Sequence, residues 1–233
     1  MAAWVVRAGR DGEHESWNIE NRRVTVGFSD VGDIGSFTTR DHLRAEVESV
    51  YPNDPPGRIG TTTAQLWAFR NSIEPNELVI MPLKTRPGYL LFGRIAGTYG
   101  YDAENPDRAR RKYIPVEWDP DPVAKSGIQQ DLLYTLNSSL TVFSPSRNNA
   151  EERLRVIART GIDPGMAEVL HEGTARTVAT KEDEEVIDPE TAPTLEAIRD
   201  RVRAHVAEHF RTHQLTHLVS HILTALGYRC EVS

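Results

Sequence analysis

Leu78-Val79-Ile80-Met81-Pro82-Leu83, followed after a short polar link by Tyr89-Leu90-Leu91-Phe92-Gly93-Arg94-Ile95-Ala96-Gly97, is the stretch on which the fold depends. Two apolar runs joined through Arg86-Pro87-Gly88 predict a β-hairpin. Downstream, Tyr99 and Tyr101 continue the second strand, and Tyr113-Ile114-Pro115-Val116-Glu117-Trp118 reads as a closing strand beyond an arginine-rich loop. Upstream, Trp4-Val5-Val6-Arg7 is a first strand and Arg23-Val24-Thr25-Val26-Gly27-Phe28 a second, alternating one, with a polar loop from Gly9 to Asn18 between them.

Two helices separate that second strand from the hairpin. Thr38 with Asp41 makes a capping box for an apolar stripe of Leu43, Val47 and Val50 that Pro52 ends. A loop rich in Pro and Gly, Asn53 to Gly60, precedes a helix from Thr62, boxed by Gln65 and stopped by Pro75. Six or so short strands with these helices predict an α+β fold, a small curved β-barrel with flanking helices. From Ser126 the pattern turns helical: Ser126 with Gln129 reads as a capping box, and Asn148-Asn149 opens a helix from Ala150 to Thr160 closed by Gly161. The expected organisation is a barrel over 1–120, a helical extension packed on it over 121–161, an acidic linker over 162–193 and a helical start of another domain over 194–233.

At 233 residues, with 39% hydrophobic and 26% charged residues, the chain suits one or two domains with a real core. No apolar run approaches the roughly 20 residues of a membrane span, and Met1-Ala2-Ala3-Trp4-Val5-Val6-Arg7 lacks the form of a signal segment, so the cytoplasm is the expected compartment. One cysteine, Cys230, excludes an internal disulfide and a cysteine-based metal cluster. The formal charge of -7 is concentrated: Lys181 to Glu190 carries net -5, which leaves -2 for everything else. Basic groups stand in the N-terminal half, where they could meet phosphates.

Catalytic signatures are lacking. No nucleophile elbow, phosphate loop or dinucleotide fingerprint occurs. Asp30, Asp33 and Asp41 are expected to cap backbone amides rather than to catalyse. His205, His209, His213, His217 and His221 recur every four residues, but each step of four advances by about 40° around a helix, so the set spreads over nearly half its circumference. A solvated face is the expectation, with no metal site and no cofactor.

Aromatic and basic residues carry more. Trp17, Phe28, Trp67, Tyr99, Tyr101 and Trp118 fall at strand ends and beside turns, where a barrel can present flat walls for a base. Phe28-Ser29-Asp30, directly after a strand, offers a wall and polar partners together. Arg22, Arg23, Arg108, Arg110, Arg111 and Lys112, with Lys84 and Arg86 at the hairpin tip, are the candidate phosphate contacts.

Two regions resemble known families. Leu218-Val219, Leu223 and Ala225-Leu226-Gly227-Tyr228 resemble the start of the nuclease domain in Mrr-type restriction endonucleases, whose catalytic carboxylates and lysine lie downstream of it. The block with Trp4-Val5-Val6-Arg7-Ala8-Gly9, Val26-Gly27-Phe28-Ser29, Tyr51-Pro52, Gln65-Leu66-Trp67-Ala68-Phe69, Leu78 to Lys84 and Gly93 to Tyr99 looks like the extension preceding that domain in a subset of bacterial proteins. It is also similar to PUA-like modules of the EVE and YTH type.

The resemblance implies the recognition portion of a modification-dependent endonuclease, with the nuclease domain cut short. It would read a modified, flipped base in double-stranded DNA, use Mg²⁺ only in the nuclease domain, and form a homodimer through the C-terminal helices or that domain. Phe28 and Ser29 match the aromatic and polar strand end of such pockets, and Arg7, Ala8 and Gly9 the loop after the first strand. Trp17, Trp67 and Tyr101 are alternatives for a second wall, with Asp30 as a polar partner. The alternatives are a stand-alone metal-dependent enzyme acting on nucleic acid and an oligomerisation module.

Overall fold

The computed structural model describes residues 2–166, 220 and 224. The chain divides into two compact units, Met1–Pro189 and Glu190–Ser233. The expected acidic linker beyond residue 166, the histidine ladder and the expected nuclease start lie outside the described residues, apart from the helical Ser220 and Thr224, whose Oγ1 donates 2.8 Å to the Ser220 carbonyl; the first residues of the expected linker are described, and there Asp163 is buried against Arg153.

The first unit is a mixed sheet curled into a half-barrel, with helices on both faces. Its strands are β1 (Ala3–Val6), β2 (Arg23–Thr25), β3 (Leu78–Leu83), β4 (Tyr89–Ile95), β5 (Gly100–Tyr101), β6 (Lys112–Trp118), β7 (Val123–Ala124) and β8 (Val142–Phe143). The spatial order is β2-β6-β4-β3-β1-β8, with β5 paired to β6 and β7 to β4. Among the described residues only β1 and β3 pair in parallel, Ala3 opposite Leu78 and Val5 opposite Ile80. The expected hairpin is present as β3–β4, in register from Leu78 opposite Arg94 to Leu83 opposite Tyr89. Closure is not reached: β2 and β8 stand at opposite ends of the path, with no ladder between them among the described residues.

Alternation along the strands builds two cores. Trp4, Val6, Val24, Val26, Val79, Ile95, Ile114 and Val116 face α2 (Arg40–Val50) and α3 (Pro56–Asn71), against Leu43, Val47, Leu66 and Phe69. Ala3, Val5, Leu78, Ile80, Leu90 and Phe92 face α4 (Gln130–Leu136) and α5 (Ala150–Thr160), against Leu132, Leu136, Leu154 and Ile157. Covered on both faces, β3 is buried throughout, which is why its sequence is a continuous apolar run. β7 and β8 come from beyond residue 120, so the barrel and the helical extension share one hydrophobic body.

Several local expectations are corrected. The expected polar loop over Gly9 to Asn18 contains the start of a helix, α1 (Glu15–Glu20). β2 stops at Thr25 rather than running to Phe28, because Gly27 (φ +67°) and Phe28 (φ +48°) turn the chain into the left-handed region. α2 is capped by Thr39, not Thr38: its hydroxyl accepts from the His42 N–H at 3.3 Å. α3 begins six residues before Thr62, with Pro56 at its first position, where a missing N–H costs nothing. Its threonines are not caps, since Thr61 and Thr63 donate back to the Gly57 and Ile59 carbonyls. Ser126 caps nothing: it lies in a 3₁₀ turn, and the first residue outside α4 is Gln129, whose N–H donates 2.9 Å to Asp163. The helix expected from Ala150 to Thr160 is α5, closed by Gly161 at φ +73°.

Candidate nucleic-acid interface

The helix that the sequence hides organises one end of the sheet. Glu15 is 1% exposed, and its carboxylate accepts from the Lys84 N–H, from the Thr85 hydroxyl and, at 3.0 Å, from the Thr85 N–H. This pins the β3–β4 hairpin tip to α1 and presents Lys84 and Arg86 beside it. Arg86 is exposed and stacks 4.0 Å from the Tyr89 ring.

Two residues along α1, the Trp17 ring meets two guanidiniums, Arg110 at 5.3 Å and Arg23 at 5.9 Å. Arg23 also lies 4.0 Å over Tyr113. The strand register explains that contact: Arg23 is opposite Pro115 and Thr25 opposite Tyr113, so Arg23 and Tyr113 are diagonal neighbours on one face. Acids hold the cations without burying them. Arg23 lies 3.8 Å from Asp102, and Arg110 pairs at 2.9 Å with Asp107 while its Nε donates 3.3 Å to His14 Nδ1. The result is a layer of alternating guanidiniums and aromatic rings, a surface suited to bases and phosphates alike.

The second element is the turn from Gly27 to Gly35. Phe28 holds φ +48°, a conformation rarely adopted by a bulky side chain and kept only when neighbours impose it. Neighbouring side chains do so. Lys112 Nζ donates to the Phe28 carbonyl at 3.1 Å and to that of Val31 at 2.6 Å. The Tyr99 hydroxyl donates 2.7 Å to Asp33 and accepts 3.2 Å from the Ile34 N–H. Arg70 donates 2.7 Å to the Gly35 carbonyl, and the Tyr51 phenol lies close enough to Asp30 to feel its charge. Burial, then the Asp33 bond, raises the Tyr99 phenol; burial, then the Asp30 charge, raises that of Tyr51. Burial, reinforced by Arg108, lowers Lys112 to about 8. Phe28 packs one side on the core and remains half-buried, with Asp30 exposed beside it.

The two elements share β6, since Lys112 and Tyr113 are adjacent on it. Trp17, Arg23, Arg110 and Tyr113 form one set, the hairpin tip that carries Lys84 and Arg86 meets α1 through Glu15, and Phe28, Ser29 and Asp30 stand on the turn that Lys112 holds. Arg22, itself at φ +50°, and Arg108 are exposed near these groups, while Arg111 donates 2.9 Å to the Asn105 carbonyl. Tyr101, half-buried, pairs across the sheet with Lys112.

Other expected site residues have structural work. Arg7 spends its guanidinium on the carbonyls of Ser138 at 2.6 Å and Leu140 at 3.2 Å, and Ala8 is buried under the hairpin with Met81 and Leu91. Gly9 makes a left-handed bend against Glu13. Trp67 packs on the core from α3. Lys112 is 1% exposed, so it has no surface to offer a phosphate and leaves that set. Tyr113, His14, Asp102 and Asp107 join the interface. Period-two alternation around Ile114 and Val116 was the available signal for Tyr113 facing outward; no local signal marks the others.

Among the described residues no helix is long and apolar enough to cross a membrane. No curated protein and no solved structure matches the chain. A family model described as a domain of unknown function, DUF8426, matches residues 4–137, from the first strand through the end of α4 and hence all of the interface. The chain belongs to the DUF8426 family.

Proposed function

We propose that this chain is the DNA-reading portion of a modification-dependent restriction endonuclease, a PUA-like half-barrel of EVE/YTH type tethered to an Mrr-type nuclease. It captures an extruded, modified base from double-stranded DNA. The observation that carries this reading is the guanidinium–aromatic layer of Arg110, Trp17, Arg23 and Tyr113, joined through β6 to the left-handed Phe28 turn. Arginines and the hairpin-tip cations supply sequence-independent attraction to phosphates, while the Phe28 ring and the polar Ser29 and Asp30 distinguish the base. Mg²⁺ enters this function only with the nuclease.

Extruding a base costs a few kcal/mol, recovered by stacking worth about 1–3 kcal/mol per base. One methyl group in an apolar pocket adds only about 1–3 kcal/mol of discrimination, so selectivity is expected to be modest. Equilibrium titration at moderate salt tests the reading, using duplexes that carry 5-methylcytosine, 5-hydroxymethylcytosine, N6-methyladenine or phosphorothioate, and a plain one. At least one modified duplex binds more tightly than the plain one; equal and negligible affinity for all refutes it. Phe28→Ala lowers affinity for the preferred duplex more than for the plain one, whereas Arg110→Ala weakens both alike.

A further inference from the structure

Lys112 occupies a place in β6 where an aliphatic side chain would be expected. It is 1% exposed and in line with Ile114 and Val116, which face the core. Burying an ammonium there is unfavourable unless its protons are satisfied by partners the fold needs held. Its partners are the carbonyls of Phe28 and Val31, the two ends of a turn that the backbone also closes with a 3.1 Å bond from the Val31 N–H to the Phe28 carbonyl. A hydrocarbon in the same place would leave the Phe28–Val31 segment with that single bond between its ends, while Tyr99 and Arg70 hold the turn only farther on, at Asp33, Ile34 and Gly35. The charged groups around the ammonium are Arg108 and Arg111, on the segment leading into β6, and Asp30 and Asp33, on the turn itself.

We propose that Lys112 is a positioning residue for base reading: its ammonium clasps both ends of the Phe28–Val31 turn and so sets how Phe28, Ser29 and Asp30 meet the extruded base. This rests on the reading of that turn as the base-reading element. Lys112 touches no DNA, and it acts on selectivity rather than on general affinity. Arg23, Arg110 and the hairpin tip are held by other bonds and do not depend on it.

The test uses the full chain labelled with 4-fluorophenylalanine, the Phe28 resonance being assigned among the six by its loss in Phe28→Leu. In Lys112→Met the Phe28 line moves while the others stay, and preference for the modified duplex falls about tenfold with plain-duplex affinity held within about twofold, as expected for loss of charge-assisted hydrogen bonds. An unmoved Phe28 line, or a parallel fall in both affinities, overturns the proposal. If Lys112→Met does not fold, the unsubstituted protein decides. Its Phe28 line shifts as Lys112 loses its proton, a loss that burial moves down from the ordinary lysine range, and a line that stays flat up to about pH 11 overturns the clasp. An unsubstituted chain that binds no duplex but shows that step overturns base reading and keeps the clasp.

Discussion

A single lysine shows how an unfavourable side chain can be recognised by its pH signature. Lys112 is charged up to about pH 8 when folded, and up to about pH 10.4 when unfolded. Between these values the unfolded chain binds more protons, so stability rises with pH, by an amount of the order of 1–3 kcal/mol. Above about pH 10 the slope reverses, because burial and the Asp33 bond keep Tyr99 protonated in the folded chain while the unfolded chain gives up its phenolic protons. Denaturant midpoints at pH 7, 9.5 and 11 follow this rise and fall in the unsubstituted protein. In Lys112→Met the rise is absent; a rise that persists there assigns it to another group. The burial of Lys112 was legible in principle, since it shares the parity of Ile114 and Val116 on one strand. What parity could not provide was its partners, which lie 81 and 84 residues away.

Elements were legible where hydrophobic period and chemistry coincide. β3, β6 and α5 carry such periods, and each lies within a residue or two of its expected place; β4 stops at Ile95, and the stretch expected to continue it to Tyr101 forms a separate strand, β5, paired with β6. α1 does not: in its six residues it buries Glu15, whose carboxylate the hairpin tip satisfies, and Asn18, whose Oδ1 accepts from the Thr25 hydroxyl, so no apolar stripe announces it. β8, two residues long, exists because β1 offers it an edge. α4 and α5 are joined by a buried charge cluster rather than by apolar contact alone. Arg153 is fully buried, donating to Asp163 at 2.6 and 2.8 Å and to Asp131 at 2.6 and 3.0 Å. The Arg153 bonds hold the Asp131 carboxyl below its ordinary range; burial pushes Asp163 up, but the bonds from Arg153, Gly165 and Gln129 outweigh it and the net shift is downward. Both carboxylates therefore contribute stability that is present above about pH 4 and lost as pH falls through their lowered values. Asp163→Asn removes one charge from a buried pair and is expected to cost about 3–5 kcal/mol, read by chemical denaturation at pH 7. Thermal melts from pH 6 to 2 are steeper in the unsubstituted chain than in an Arg153→Met/Asp131→Leu/Asp163→Leu triple variant, and parallel profiles contradict the assignment.

For the whole molecule, net charge and its placement oppose one another. The chain carries -7 overall, yet Arg23 and Arg110 both lie against the Trp17 ring of one short helix, and Arg86 stands exposed on the hairpin tip that the same helix pins. If these cations contact phosphates as proposed, binding is salt-sensitive despite the acidic total, because phosphate contacts release counterions one by one. Removing Arg86 or Arg110 lowers the slope of log affinity against log salt by about 1, while Phe28→Ala leaves it unchanged. Equal slopes for all three would remove the division between phosphate-contacting and base-reading residues.

Apolar period alone determined the α+β class, the central hairpin and its closing strand, because burial on one face repeats every two residues in a strand and every three to four in a helix. The sequence also pointed to aromatics and arginines as the residues of interest. Only the tertiary structure decided which of them meet. It left the sheet as an open half-barrel, turned Arg7 and Lys112 inward onto backbone carbonyls, and brought Trp17 to Arg110, 93 positions away along the chain. The reason is physical: a strand's period specifies which way a side chain faces, while its partner is set by register and packing between segments that carry no local trace of one another.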